Sequence, residues 1–151
     1  MKGIVAVDGS EQSKLIIHNL RALAPLDDIL LLHAYDVPQL AYPGTGMGVG
    51  HDFSVKAEEA LRKEGTRILE DMTSQLPKDV GPICRQLERG PTAEVILSAA
   101  KQENTDLIVI GSRGLGIIRA HALGSVSHPV VTHASCATLV AKNTCDSFQH
   151  I

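Results

Sequence analysis

Short apolar runs alternating with amphipathic helical stretches predict an α/β fold, an open five-stranded parallel sheet with helices on both faces. Three observations carry this expectation. The runs Ile4 to Val7, Ile29 to Leu32 and Leu107 to Ile110 are continuously apolar, as parallel strands covered on both faces are. Stretches with helical spacing separate the runs, giving five strands and four helices in alternation. The length of 151 residues and the apolar fraction of 44% suit one domain, residues 1–151, with a sizeable core.

The first strand, Ile4 to Val7, stops at Asp8-Gly9-Ser10, a turn and helix-start signal. Leu15, Ile16, Leu20 and Leu23 then recur at helical spacing until Pro25. The second strand, Ile29 to Leu32, extends toward Tyr35 and gives way to a long loop from Asp36 to about Phe53. That loop holds Pro38, Pro43, Gly44, Gly46, Gly48 and Gly50, a composition that opposes regular structure. A second helix runs from Val55, with Ala57, Leu61, Ile68, Met72 and Leu76 as its apolar positions, and Pro77 ends it. Ile83 to Leu87 alternates apolar with polar residues, the pattern of an edge strand. Pro91-Thr92 opens a third helix with Val95, Ile96, Ala99 and Ala100 on its inner face. Leu107 to Ile110 is the most apolar strand; a short helix from Val126 to about His133 and a strand at Thr138-Leu139-Val140 complete the alternation.

Composition excludes several function classes. Aromatic residues make up 3% of the chain and Trp is absent, so few rings are available to stack exposed bases. A net charge of −3 with interspersed signs offers no footprint for a nucleic-acid backbone. No apolar run approaches the ~18 residues that span a bilayer, and Met1-Lys2-Gly3-Ile4 lacks the pattern of a secretory leader. Cys84, Cys136 and Cys145 form no CxxC pair, which suits free thiols in a reducing cytoplasm. His133 and Cys136 have HxxC spacing without a second ligand pair, and the other histidines are scattered, so no metal site is expected.

In a doubly wound sheet, ligands bind where the strands' C-terminal ends meet the loops. The loop after Ile110 reads Gly111-Ser112-Arg113-Gly114-Leu115-Gly116, and after a short interval comes Gly124-Ser125-Val126-Ser127. Glycines at a strand end let the backbone approach a ligand and adopt positive φ. The second cluster opens the last helix, where unpaired N–H groups favour an anion. Ser125 and Ser127 add hydroxyls that either cap that helix or bond phosphate oxygens. No GxxxxGK[ST] loop, no GxGxxG after the first strand and no GxSxG elbow is present.

The spacing Gly111-x2-Gly114-x9-Gly124-Ser125 resembles the ATP-binding signature of the universal stress proteins. Thr105 to Gly114, Gly124 to Ser127 with His133-Ala134-Ser135-Cys136, and the opening Ile4 to Ser10 are similar to that family in the same order along the whole chain. The resemblance implies a Rossmann-like, adenine nucleotide alpha hydrolase-like fold with strand order 3-2-1-4-5. It further implies ATP or AMP, with or without Mg²⁺, held between the first and fourth strands. By position, Asp8 and the backbone at Val37 are expected at the adenine and Gly111 near the ribose. Gly114, Gly124, Ser125 and Val126 are expected around the phosphates, mainly through main-chain N–H groups; Arg113 and Arg119 are the nearby cations, Arg113 within reach of a phosphate or an acidic neighbour, and Ser127 is either a phosphate contact or a cap. For Asp8 the alternative role is that of a helix cap, compatible with the first. Thr138 to Ala141 is expected to pair with its counterpart in a homodimer, which would cover an apolar edge.

Two positions depart from the family pattern. Pro129 delays the last helix to Ser127, because it has no N–H for the first internal bond of a helix begun at Ser125. Ala137-Thr138 stands where Pro-Val is common before the last strand. A regulatory nucleotide binder is the expected function, with a nucleotide-free dimeric scaffold or a slow ATPase or self-phosphorylating protein as alternatives. No carboxylate follows the Leu107 to Ile110 strand to hold a metal at the phosphates, so no catalytic residue is assigned.

Overall fold

The computed structural model describes residues 1–37, 49–112 and 123–142, the side chains of 49–53 excepted. Strands β1 (Lys2–Ala6), β2 (Asp28–Tyr35), β3 (Ile83–Arg89), β4 (Leu107–Gly111) and β5 (Ala137–Ala141) alternate with helices α1 (Glu11–Leu23), α2 (Val49–Ser74), α3 (Thr92–Gln102) and α4 (Ser127–His133). The strands form one sheet in the order β3-β2-β1-β4-β5. Every pairing is parallel, with Ile4 opposite Leu30 on one side and Ile108 on the other. The architecture is the Rossmann-like α/β fold that the sequence predicts, in the implied strand order, with β3 at an edge.

Alternation along the strands divides the core in two. Val5, Leu31 and Val109 point to the face covered by α1 and α2, where they meet Ile16, Ile17, Leu20, Leu69 and Met72. Ile4, Leu30, Leu32, Ile108 and Ile110 point to the other face, against Ile96, Ala99 and Ala100 of α3 and Val130 of α4. Burial on both faces explains why β1, β2 and β4 read as continuous apolar runs.

Three local expectations are corrected. On α1 the inward residues are Gln12, Ser13, Ile16, Ile17 and Leu20, whereas Leu15 and Leu23 are exposed on the outer side. The buried stripe begins with a polar pair, which apolar periodicity alone cannot locate. Helix α2 begins at Val49 and includes Gly50, so the last part of the expected loop is helical; residues 38–48 lie outside the described residues. Among the described glycines, positive φ occurs at Gly9 and Gly90 and not at Gly111 or Gly124. Gly9, at φ +78°, turns the chain between β1 and α1.

Candidate functional site

All five strands run the same way, so their C-terminal ends share one edge of the sheet. The chain leaving β1 crosses to the face of α1, and the chain leaving β4 leads to the face of α4. The winding therefore reverses between β1 and β4, and in open α/β sheets the ligand crevice lies at such a reversal.

The β1 wall is the turn Asp8-Gly9-Ser10. Asp8 Oδ1 accepts the Ser10 N–H at 3.0 Å and the Ser13 hydroxyl at 2.7 Å. The Asp8 N–H in turn donates to Ser13 Oγ at 3.0 Å. Ser10 is the N-cap of α1, its Oγ accepting the Ser13 N–H at 3.2 Å. Asp8 therefore braces the cap while remaining half-buried at the crevice. Val37, just beyond β2, is buried.

The β4 wall is built around Ser112. Gly111 ends β4 opposite Ala141, and the Ser112 N–H donates to the Ala141 carbonyl at 2.7 Å. The Ser112 carbonyl accepts the Gly124 N–H at 2.9 Å and the Ser127 hydroxyl at 3.0 Å. Two expected phosphate donors are thus committed within the protein. The Gly124 N–H closes the turn onto Ser112, and the Ser127 hydroxyl, only 2% exposed, is a buried brace. Ser112 Oγ accepts Gln12 Nε2 at 3.1 Å from the first turn of α1.

Helix α4 starts at Ser127, as Pro129 predicts. His128 N–H reaches the Gly124 carbonyl at 3.0 Å and Val130 N–H reaches Val126 at 3.2 Å, while Pro129 has no N–H to give Ser125. Val126, at φ −94° and ψ −49°, caps the helix without a side-chain bond. Among the described residues, the N–H groups of Ser125, Val126 and Ser127 have no acceptor. The Ser125 side chain is exposed beside them. Consecutive main-chain donors without described partners suit a multiply charged anion.

Arg113 and Gly114 lie outside the described residues, as does Cys145. The remaining expected residues (Asp8, Val37, Gly111, Gly124, Ser125, Val126 and Ser127) follow or end β1, β2 and β4, or precede or open α4, at the shared edge. Gln12, Ser13 and Ser112, all buried, were not legible as site residues. The available signal was Gln12 itself, a polar residue on the stripe that continues through Ile16 and Leu20. No group of three His, Cys, Asp or Glu able to hold a metal occurs among the described residues. No helix among them is long and apolar enough to cross a membrane.

Comparison with known proteins agrees with this fold. The profile of the universal stress protein family matches residues 1–142. The universal stress protein YxiE of Bacillus subtilis is 30% identical over 148 residues, covering 93% of this chain and 98% of the relative. Among solved structures, the hypothetical protein MJ0577 superposes with a TM-score of 0.78 at 23% identity, over 96% of this chain and 98% of that one. An Arabidopsis thaliana universal stress protein family protein with AMP bound gives a TM-score of 0.51 at 21% identity, over 95% and 93%. Universal stress proteins solved in complex with cAMP and, from Archaeoglobus fulgidus, with dAMP give TM-scores of 0.56 and 0.52. With the family profile spanning nearly its whole length, this chain belongs to the universal stress protein family.

Proposed function

We propose that this chain binds an adenine nucleotide, ATP or AMP, at the crevice between β1 and β4 and acts as a regulatory module of the stress response. The observation that carries the reading is the run of three main-chain N–H groups at Ser125, Val126 and Ser127 without described acceptors, beside the sheet's winding reversal. These residues fit the ligand: the three N–H groups would hold phosphate oxygens, and Asp8 with the main chain at Val37 would hold the adenine. Gly111 would lie near the ribose, and Arg113 and Gly114 complete the family signature in sequence. When bound, the nucleotide would supply a polyanion to these main-chain donors. The AMP, cAMP and dAMP carried by proteins of this fold support an adenine nucleotide as the class.

The same reading includes a homodimer formed through Thr138 to Ala141, since β5 is an edge strand paired on one side with β4 and only half-buried from Thr138 onward. Free Cys84 and Cys136 accord with a reducing, cytoplasmic setting. Denaturing the purified protein and identifying the released small molecule, followed by calorimetric titration with ATP and AMP, tests the nucleotide. Release of an adenine nucleotide or saturable binding is expected; neither being detected overturns the reading.

A further inference from the structure

We infer that Gln12 is a positioning residue for the phosphate end of the nucleotide site, acting through Ser112; this rests on the nucleotide reading above. Gln12 lies in the first turn of α1 with its side chain turned inward, 7% exposed. Its Nε2 spans from α1 to Ser112 Oγ at 3.1 Å, joining residues far apart in sequence.

Ser112 is itself buried, and each of its polar groups is engaged. The N–H goes to Ala141, the Oγ receives Gln12, and the carbonyl receives both the Gly124 N–H and the Ser127 hydroxyl. Four segments therefore converge on one residue: the start of α1, the ends of β4 and β5, and the turn Gly124–Ser127. Buried polar groups are costly when unpaired, so such a network favours one arrangement of its members. The turn it fixes is the one whose next N–H groups, at Ser125, Val126 and Ser127, lack described acceptors. Asp8 is tied separately, through Ser10 and Ser13. Loss of the Gln12 donor should loosen the phosphate donors and leave the adenine side in place.

Gln12→Met keeps the length and bulk of the side chain and removes the donor, and Ser112→Ala breaks the same bond from the other end. Calorimetry on the full chain compares ATP with adenosine. Each variant should lose about tenfold in ATP affinity, the scale of one buried hydrogen bond whose partner is stranded. Adenosine affinity should stay within about twofold, and the double variant should lose no more than either single one, because both remove one shared interaction. Parallel losses for ATP and adenosine, or single effects that multiply, overturn the inference. A separate readout uses the ligand-free protein: amide hydrogen exchange at Gly124 should quicken about tenfold in Gln12→Met, with Val109 unchanged. Unchanged exchange at Gly124 refutes the positioning role on its own. A wild type that binds neither ATP nor AMP refutes the nucleotide reading instead.

Discussion

Ser125 and Ser127 sit two residues apart in the same motif, and the structure gives them opposite roles. Ser127→Ala removes a hydroxyl that is 2% exposed and donates to the Ser112 carbonyl at 3.0 Å. That carbonyl keeps the Gly124 N–H at 2.9 Å, so no acceptor is stranded. The cost is then the net worth of one buried hydrogen bond, about 1 kcal/mol, rather than the larger penalty of an orphaned group. For a chain of this size the melting temperature should fall by roughly 2–4 °C. Ser125→Ala alters an exposed side chain and should stay within about 0.5 kcal/mol of the wild type. Urea unfolding followed by circular dichroism, with the slope shared among variants, measures both. Equal effects at the two positions, or a neutral Ser127→Ala, would contradict the assignment of Ser127 as a buried brace.

Gly9→Ala should cost about 1–2 kcal/mol in the same unfolding experiment, the penalty for a side chain at left-handed φ. Gly9 has φ +78°, and an added Cβ would lie 3.2 Å from Ile68 Cγ1; a neutral substitution would argue against this turn. Burial pushes the Cys136 thiol up, leaving less thiolate near neutral pH, while Cys84 is exposed on β3. Iodoacetamide should therefore modify Cys84 well before Cys136 in native protein, read by peptide mass spectrometry. The rate at Cys136 should climb as the pH is raised toward its elevated pKa; faster labelling of Cys136 at neutral pH would refute its burial. Sedimentation of the wild type should give a dimer, and a monomer at high micromolar concentration would remove the role given to β5.

The sheet was legible because its inner strands are covered on both sides. Ile4-Val5, Leu30 to Leu32 and Leu107 to Ile110 are buried whichever way they point, so an unbroken apolar run suffices to find them. The edge position of β3 was legible for the opposite reason, since Cys84 and Arg85 face water beside half-buried Ile83. The strand order came with the family resemblance and not from hydropathy.

Helix faces were harder. On α1 the apolar pattern favours Leu15 and Leu23, yet the buried stripe contains Gln12 and Ser13. Ser112 satisfies Gln12 across the fold, and Asp8 satisfies Ser13 from the turn just before α1; apolar spacing reports neither partner. The start of α2 was missed because Gly50 lowers helix propensity at a position that is nonetheless helical.

At the site, the glycine spacing points to the turn Gly124–Ser127, in which the Gly124 N–H is already bonded within the protein. Positive φ is not the requirement at Gly111 or Gly124. The Gly124 N–H serves Ser112, and the donors without an acceptor among the described residues come one to three residues later. Pro129 was the informative residue: its missing N–H fixes where α4 begins, and that effect is local enough to be read from sequence.

The most direct test is to follow individual backbone N–H resonances of isotopically labelled protein during titration with ATP. Saturating shifts at Ser125, Val126 and Ser127, larger than those of Val109 within β4, are the predicted result. ATP that leaves these three signals unmoved, whether or not it binds elsewhere, would contradict the claim that main-chain donors between β4 and α4 hold the phosphates.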